Sequence, residues 1–356
     1  MTTSERIRKL RDKLQAKELD ALLVSKAENR RYLSGLWTSA GVLLISSNKA
    51  VFATDFRYAE QARGECPDFE VVQTKGRLAE WLPGLVSDMG IKKAGFEAGD
   101  ITVAIYGEMS KALEGDQNSF RLMPTDGLVE ELRAVKDKDE LAHLTKAAEL
   151  VDLALSHVAS EIKPGVTEKE AAWAIERFLK ERGSEEAPFH VIVASGPNSA
   201  FPHATPTDRQ IQPGEPIVID FGARVNGYCS DITRTRCLGD QPATFTKIYD
   251  LVLGAQLTAL ATLKAGMTGE QADRLARTVI DQGGYSDAFG HGLGHGVGLE
   301  AHEKPRLGYQ SADVLADNMV FTVEPGVYIP GWGGVRVEDM VLLDNGQARV
   351  LTKSRK

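Results

Sequence analysis

Histidine and glycine are concentrated in residues 289–303, which read FGHGLGHGVGLEAHE. Glycine occupies every second position from 290 to 298, and a period of two predicts a strand rather than a helix. In an extended strand, His291 and His295 lie roughly 13 Å apart at about 3.3 Å per residue, so they are too distant to hold one metal ion together. We therefore expect one metal ligand and one pocket residue. A glycine-rich loop that carries incidental histidines is the alternative.

Two acidic residues lie in a predicted hairpin at 217–236, IVIDFGARVNGYCSDITRTR. The Asn-Gly pair at 226–227 predicts a two-residue type I′ turn. That turn places Asp220 opposite Thr233 and leaves Asp231 on the same face of the hairpin, diagonal to Asp220. The two carboxylates can therefore converge on one point.

A second hairpin is predicted at 319–343, around the turn PGWGG at 330–334. With all five of these residues in the loop, Glu324 lies opposite Met340, and Glu338 shares the face of Glu324. A loop shorter by one residue would instead place the two glutamates on opposite faces. The face that carries the glutamates also carries the side chains of Tyr328 and Arg336.

Both acid pairs lie in segments that are typical of buried strands, and buried carboxylates are costly unless they are paired or bind a cation. Four carboxylates together with His295 suit two divalent ions. Oxygen-rich ligation with one imidazole and no thiolate favours Mn²⁺, with Co²⁺, Fe²⁺ and Zn²⁺ as alternatives. The competing interpretation is two surface hairpins, whose acids are exposed or are paired with Arg234 and Arg336.

The composition limits the class of protein. The chain has 356 residues and a formal net charge of −8, which argues against a nucleic-acid-binding surface. Three cysteines indicate a reducing compartment rather than a disulfide framework. The N-terminal stretch is charged and has no apolar signal core, and no stretch is long enough to span a bilayer. We expect a cytoplasmic protein that binds neither nucleic acid nor membrane.

Alternating strand and helix patterns predict a smaller α/β unit that ends near residue 130 and a larger unit after it. Helices of the larger unit are predicted near 139–161, 167–183, 243–264 and 268–282. The boundary is predicted at 130–138, and we place the domains at 1–132 and 133–356. The charge run KDKDE at 136–140 is interpreted as a solvated face.

Four stretches of the larger unit resemble the proline-specific metallopeptidases of the pita-bread fold, Xaa-Pro aminopeptidase (aminopeptidase P) and Xaa-Pro dipeptidase (prolidase). They are ASGPNSAFPHATPTDR, IVIDFGARVNGYCSDITRT, GHGLGHGVGLEAHEKPR and TVEPGVYIPGWGGVRVED, and they cover most of residues 194–339. NRRYLSG and DFRYAEQA resemble the N-terminal domain of the family. The resemblance implies an α+β fold, with a creatinase/prolidase-like α/β domain at 1–132 and a pita-bread catalytic domain at 133–356.

The resemblance also implies a site with two divalent metal ions, in which Asp231 and Glu338 bridge the ions. The implied ligands are Asp220, Asp231, His295, Glu324 and Glu338. No expected ligand is missing from this sequence.

Catalytic roles are implied for His203, His302, Glu324 and Arg336. Of these, the histidines hold and protonate the substrate, the glutamate carries a proton to the nitrogen of proline, and the arginine supports the metal ligands. The resemblance implies that His291 lines the substrate pocket. Arg306 is a candidate for binding the carboxylate of proline.

The implied reaction is hydrolysis of the N-terminal Xaa-Pro bond of a peptide by a metal-bridging hydroxide. We expect an aminopeptidase P that also cleaves dipeptides, and a prolidase restricted to dipeptides is the alternative. Methionine aminopeptidases and creatine amidinohydrolase match the motifs less well. A catalytically inactive, peptide-binding member of the fold is the more distant alternative, since all five ligands are present. On the resemblance alone, we expect a homodimer.

Overall fold

A computed structural model describes residues 1–114 and 120–356. The chain divides into two compact units, Met1–Arg133 and Ala134–Lys356. Within these described residues, no helix is both long enough and apolar enough to cross a membrane.

The first unit contains one six-stranded sheet and the helices that accompany it. Its strands are β1 (Ala21–Val24), β2 (Val42–Ser46), β3 (Ala50–Thr54), β4 (Glu70–Gln73), β5 (Lys93–Glu97) and β6 (Arg121–Thr125). Its helices are α1 (Thr3–Ala16), α2 (Ala27–Ser34), α3 (Ala59–Glu65), α4 (Leu78–Asp88) and α5 (Val103–Leu113), and α6 (Glu130–Ala134) leads into the second unit. The strand order is β4-β3-β2-β1-β5-β6. β1, β2 and β3 are buried along their whole length, in keeping with their uninterrupted apolar sequences.

Four long helices organise the second unit. They are α7 (Lys138–Val158), α8 (Glu168–Glu181), α9 (Ala243–Thr262) and α10 (Gly269–Gln282). Capping boxes fix the starts of three of them, because the N-cap residues Asp137, Thr167 and Thr268 each exchange hydrogen bonds with a Glu or Gln three positions later.

The charge run at 136–140 is solvated only in part. Lys138 and Asp139 are exposed, as predicted, whereas Lys136 and Glu140 are buried, so the interpretation was wrong for these two. The Lys136 ammonium is buried and lies 2.8 Å from a carboxylate oxygen of Glu303. Asp137 caps α7, and the buried Glu140 accepts a hydrogen bond from the Tyr228 hydroxyl. Lys136 and Glu140 can be buried because each has a partner that is far away in the sequence, and Asp137 binds the N-terminus of α7.

The strands of the second unit form two larger sheets and two short hairpin ends. One sheet has the order β11-β8-β7 and consists of β7 (Ile192–Ser195), β8 (Pro216–Phe221) and β11 (Ile232–Cys237). The other has the order β13-β12-β14-β17-β18 and consists of β12 (Gly294–Gly296), β13 (Glu303–Leu307), β14 (Val320–Val323), β17 (Asp339–Asp344) and β18 (Gln347–Val350). The short pairs are β9 (Arg224–Val225) with β10 (Tyr228–Cys229), and β15 (Gly326–Ile329) with β16 (Gly333–Arg336).

Each larger sheet buries one face against a helix pair. Ile217, Ile219 and Phe221 of β8 share a core with α7 and α8. Phe321 and Val323 of β14 share a second core with α9 and α10. Because side chains alternate along a strand, the residues between these core positions face away from the helices.

Candidate metal centre

Asp220 and Asp231 are positioned by the hairpin that turns at 226–227. Both turn residues have positive φ angles, 48° and 79°, as a type I′ turn requires. Asp220 pairs with Thr233 across the ladder, so the predicted register is confirmed. The neighbours of Asp220 in β8 belong to the core, and the Asp220 side chain therefore lies on the opposite face.

The second hairpin has a tighter turn than predicted. Ile329 pairs with Gly333, so three residues form the loop instead of five. The Trp332 N–H donates a hydrogen bond of 3.1 Å to the Ile329 carbonyl. Gly331 has a φ of 81°, and Pro330 precedes it. Proline followed by a residue with positive φ defines a type II turn, which closes the chain earlier than the five-residue loop would.

The shorter loop shifts the pairing by two residues. Met340 lies opposite Thr322 rather than Glu324, so the predicted pairing was wrong. The ladders on either side bring Glu324 opposite Glu338. A shift of two residues preserves which face each side chain occupies, and the two glutamates therefore share a face, as predicted.

The glycine-rich segment forms a strand only at β12. His295 lies inside this strand, whereas His291 precedes it in irregular chain. Glycine is required on either side of His295 because backbone atoms of neighbouring strands lie too close to leave room for a Cβ atom. A Cβ atom on Gly294 would overlap the Thr322 carbonyl, and one on Gly296 would overlap the Lys304 carbonyl. The neighbouring strands therefore approach this backbone closely.

These three elements bring the five predicted ligands to one cavity of about 510 Å³. Oxygen or nitrogen atoms of Asp231, His295 and Glu338 all lie within 4.8 Å of one another. The His295 Nε2 atom lies 3.2 Å from Glu324 Oε1 and 3.7 Å from Asp231 Oδ2. We refer to Asp220, Asp231, His295, Glu324 and Glu338 as the carboxylate floor.

Burial and mutual repulsion perturb the acids of the carboxylate floor. Burial, reinforced by the charges of neighbouring carboxylates, raises the pKa of Asp231 and of Glu338 well above the usual range. Burial also raises the pKa of Asp220, although the Arg336 guanidinium opposes the shift. Burial acts upward on Glu324 as well, but the hydrogen bond and charge of His295 outweigh it and lower the Glu324 pKa to about 2. Clustered acids of this kind are stabilised by bound cations, which remove the repulsion.

The donor atoms of the carboxylate floor fit a divalent cation. Among the described residues, no hydrogen-bond partner is found for the buried atoms Asp220 Oδ1 and Glu338 Oε1. The His295 Nδ1 atom lies 3.1 Å from the Gly296 carbonyl. With its hydrogen on Nδ1 and a cation among the carboxylates in place of the proton on Nε2, the imidazole can bind that cation through the Nε2 lone pair, which is the usual arrangement of a metal-binding histidine.

Arg336 connects the carboxylate floor to two further side chains. Its guanidinium donates to Asp220 Oδ2 at 2.5 Å, to the Thr233 hydroxyl at 3.0 Å and to the Tyr328 hydroxyl at 2.7 Å. Burial raises the pKa of Tyr328 to about 12, so its hydroxyl keeps a hydrogen to donate to His291 Nε2, 3.0 Å away. Burial lowers the pKa of His291, and the neutral ring is thus able to accept that hydrogen bond.

Two polar residues of the site carried no role in the sequence analysis. The Thr233 hydroxyl donates to Glu338 Oε2 at 2.5 Å while it accepts from Arg336. The Tyr328 hydroxyl joins Arg336 to His291. The predicted registers place both residues on the face of the acids, and that shared face is the signal that could have identified them.

Three predicted residues surround the opening of the same cavity. His203 lies in irregular chain, the His302 ring lies with its centroid 4.1 Å from that of His295, and Arg306 pairs with His295 across β12 and β13. All three residues are exposed. We refer to His203, His302 and Arg306 as the rim. The cavity also has an apolar lining, which was not predicted from the sequence and is formed by Phe189, Ile192, Pro202 and Leu307; we call these four residues the apolar wall.

Comparisons with known proteins agree with this geometry. The family model for metallopeptidase family M24 matches residues 142–345. The model for the creatinase/prolidase N-terminal domain matches residues 6–135. The predicted resemblance is thereby confirmed.

Three similar proteins cover nearly the whole chain. The structure of the Xaa-Pro dipeptidase from Bacillus anthracis has 41% identity and a TM-score of 0.95, and the match covers 100% of this chain and 99% of that one. The Xaa-Pro dipeptidase of Pyrococcus horikoshii is 35% identical over 355 residues, 99% of this chain and 98% of that protein. The structure of the X-Pro aminopeptidase from Thermotoga maritima has 37% identity and a TM-score of 0.85, with 95% and 96% covered. These matches confirm the predicted α+β pita-bread fold.

Proposed function

The chain belongs to metallopeptidase family M24, and we propose that it is an Xaa-Pro dipeptidase, which hydrolyses the bond between the first residue of a dipeptide and proline. From the sequence, we expected an aminopeptidase P, with the dipeptidase as the alternative. Two of the three similar proteins carry the dipeptidase name, and the position of Arg306 supports the same choice.

The pairing of Arg306 with His295 is the observation that carries the proposal. Residues directly opposite in an antiparallel ladder share a face, with their Cβ atoms about 4.5–5.5 Å apart. The guanidinium therefore faces the cavity beside the carboxylate floor, where its planar fork can bind a carboxylate through two hydrogen bonds. In an Xaa-Pro dipeptide, the carboxylate belongs to the residue directly after the cleaved bond. A longer peptide would present an uncharged amide to Arg306.

In the proposed enzyme, the residues of the carboxylate floor would hold two divalent ions, with Mn²⁺ as the metal. When bound, such ions polarise a carbonyl group and lower the pKa of water, so that a nucleophile is available near neutral pH. Arg336 holds Asp220 in its ligating position through their short ion pair, and Thr233 does the same for Glu338.

The remaining steps fall to side chains around the bound peptide. Glu324 accepts the proton of the attacking water and delivers it to the leaving nitrogen of proline. His302, beside His295, donates a hydrogen bond to the carbonyl oxygen as negative charge develops there. His203 holds the bound peptide, and His291 lines the substrate pocket.

Proline explains why a dedicated peptidase is needed. The nitrogen of proline carries no hydrogen in the peptide, so enzymes that bind that N–H cannot use it. The pyrrolidine ring is apolar, and the apolar wall, which includes Phe189 and Leu307, offers it a matching surface.

We propose further that residues 1–132 are the creatinase/prolidase-like domain and that residues 133–356 are the catalytic domain. Three cysteines without disulfide bonds support the proposed cytoplasmic location. The proposed homodimer has the family resemblance as its support.

The proposal is tested with four substrates and protein that has been stripped of metal and refilled with Mn²⁺. The substrates are Ala-Pro, Ala-Pro-amide, Ala-Pro-Ala and Ala-Ala. We expect cleavage of Ala-Pro, with little cleavage of the amide or the tripeptide and none of Ala-Ala.

The other outcomes each point to a different function. Equal or faster cleavage of Ala-Pro-Ala would identify an aminopeptidase P. Cleavage of no substrate, although two metal ions are bound, would contradict the proposed substrate class. Failure to bind metal would contradict the assignment of the carboxylate floor.

A further inference from the structure

Between β7 and Arg209, the chain that carries His203 forms a short 3-10 helix at Gly196–Ala200 and is otherwise irregular. We call residues 196–207 the His203 segment. Its tip, from Pro202 to Thr205, lines the cavity. Among the described residues, no hydrogen bond or ion pair to the His203 imidazole is found. The position of this ring must therefore be set by the backbone that carries it.

One buried carboxylate closes the base of the His203 segment. Glu168, at the start of α8, is fully buried. Its Oε1 atom accepts from the Ser195 N–H at 2.7 Å and from the Ser195 hydroxyl at 2.8 Å. Its Oε2 atom accepts from the Thr207 N–H at 3.0 Å and from the Thr207 hydroxyl at 2.6 Å. The Asn198 amide donates to both oxygens. A single side chain thus binds the residue before the segment, a residue within it and its last residue.

These contacts are strong because the acceptor is charged and shielded from water. Hydrogen bonds to an ionised group are roughly twice as strong as neutral ones. A buried carboxylate that loses its donors pays a large desolvation penalty, and this penalty opposes any movement of Ser195 or Thr207 away from Glu168. Arg209 adds to the same arrangement, since it donates to the Ser195 hydroxyl at 2.6 Å and pairs with Glu215.

The tip has one polar contact with the metal centre through its backbone. Arg336 donates to the Pro202 carbonyl at 3.2 Å, one residue before His203. The Gly334 N–H also donates to the Ser199 hydroxyl within the segment, at 2.8 Å. The segment is therefore held at its base by Glu168, at Ser199 by Gly334 and at its tip by Arg336.

We propose that Glu168 is a positioning residue for hydrolysis, which acts on the substrate only through the placement of His203. The inference rests on the proposed function, since it assigns His203 to the bound peptide. A carboxylate with two acceptor atoms is needed at this position because both Ser195 and Thr207 present only donors to it.

The test compares Glu168→Gln with Glu170→Gln, each alone and combined with His203→Ala, in the Mn²⁺-loaded protein. Glu170 is the matched control because it lies in the same first turn of α8 and accepts hydrogen bonds from Thr167, yet it is exposed and does not contact the His203 segment. The measurements are kcat/KM for Ala-Pro, metal content, and amide hydrogen exchange of residues 198–207.

We expect Glu168→Gln to lower kcat/KM roughly ten- to hundredfold, because a displacement of about 1 Å at a reacting site has effects of this size. In the His203→Ala background, the same change should have almost no effect. Exchange of the amides at 198–207 should accelerate in Glu168→Gln, and neither exchange nor turnover should change in Glu170→Gln. Metal content should stay at the wild-type value in all variants.

An equal loss with and without His203 would overturn the proposal, because Glu168 would then act through general structure. Unchanged exchange at 198–207 would overturn it as well. If Glu168→Gln does not fold, Thr207→Ala takes its place, since it removes the hydroxyl that donates to Glu168. It is then measured alone and combined with His203→Ala. Should wild-type protein cleave no Xaa-Pro substrate, the proposed function fails, while the exchange measurement still decides whether Glu168 holds the segment.

Discussion

The carboxylate floor and the rim face the same cavity, but different kinds of structure hold them in place. Four of the five residues of the carboxylate floor are acids on paired strands or directly beside them, and Asp220, Asp231 and Glu338 are buried. The rim is exposed, and His203 and His302 lie in irregular chain. Ladders of backbone hydrogen bonds fix the carboxylate floor, whereas individual buried side chains fix the loops of the rim.

This difference predicts how each region responds to substitution. The side chains of the carboxylate floor share one cluster of charge, so changing one of them alters the environment of all the others. In the proposed mechanism, the rim residues contact the substrate and not the metal ions, so their effects should be independent of metal binding. Measuring metal content beside turnover therefore separates the two regions.

Asp231→Ala should have the largest effect. Asp231 is a proposed metal ligand, and its loss should remove several kcal/mol of transition-state stabilisation, which corresponds to roughly a thousandfold or more in kcat for Ala-Pro. Metal content after dialysis should fall in parallel. The control is Asp208→Ala, which removes an exposed aspartate paired with Lys169 and should leave both quantities unchanged. Full metal content combined with full activity in Asp231→Ala would remove the distinction between the regions.

His302→Ala should have the next largest effect, on turnover alone. Removal of one hydrogen-bond donor from a developing oxyanion costs about 10²–10³ in kcat, and the floor keeps its metal because His302 is not a ligand. The measurement is kcat for Ala-Pro together with metal content, with the exposed His157 changed to Ala as the control. A loss of metal as large as that of Asp231→Ala would show that His302 belongs with the carboxylate floor.

Arg306→Ala should have a smaller and more selective effect. A charge-assisted hydrogen bond contributes about 1.5–3 kcal/mol, so kcat/KM for Ala-Pro should fall roughly ten- to hundredfold. Cleavage of Ala-Pro-amide should be almost unchanged because that compound lacks the carboxylate. Arg306→Lys keeps the charge without the planar fork, so its kcat/KM for Ala-Pro should lie between the values of wild type and Arg306→Ala. Equal losses for both compounds would remove the basis for a dipeptidase.

The sequence was sufficient to predict the carboxylate floor because strand parity survives errors in loop length. The Asn-Gly turn at 226–227 determines the first register without ambiguity. In the second hairpin the predicted loop was two residues too long, yet Glu324 and Glu338 stayed on one face, since an even shift preserves parity. An odd error would have separated them.

The rim could not be predicted from periodicity in the same way. Irregular chain has no repeat that relates sequence position to direction, and the loops are held by partners that are distant in the sequence. The ion pair of Lys136 with Glu303, one residue from His302, joins positions 136 and 303. The charge run at 136–140 was interpreted as solvated because nothing in its local sequence reveals that partner. Only the family resemblance brought His203 and His302 to attention.

The smallest predicted effect distinguishes the regions in protein without metal. Burial and the neighbouring Glu338 charge raise the pKa of Asp231 in the folded state, whereas an unfolded aspartate titrates near pH 3.9. The folded protein therefore binds more protons than the unfolded chain above about pH 4, so the free energy of unfolding falls as the pH rises through the raised pKa. Asp231→Asn removes this contribution, because the amide does not ionise.

Metal-stripped Asp231→Asn should consequently unfold at a higher temperature than metal-stripped wild type at pH 7, by about 2–4 °C for each kcal/mol of repulsion relieved. With Mn²⁺ bound the order should reverse, since the amide is a weaker ligand and less binding energy is coupled to folding. Glu324 gives the free energy of unfolding the opposite pH dependence. Its pKa is about 2 in the folded state, so its contribution to stability is present near neutral pH and is lost only as the pH falls below about 4. His302→Ala is the control. In the His302→Ala background, Asp231→Asn should still raise the unfolding temperature without metal and lower it with Mn²⁺. If Asp231→Asn unfolds at the same temperature as wild type, or at a lower one, in the absence of metal at pH 7, then repulsion within the carboxylate floor is not what the cations relieve.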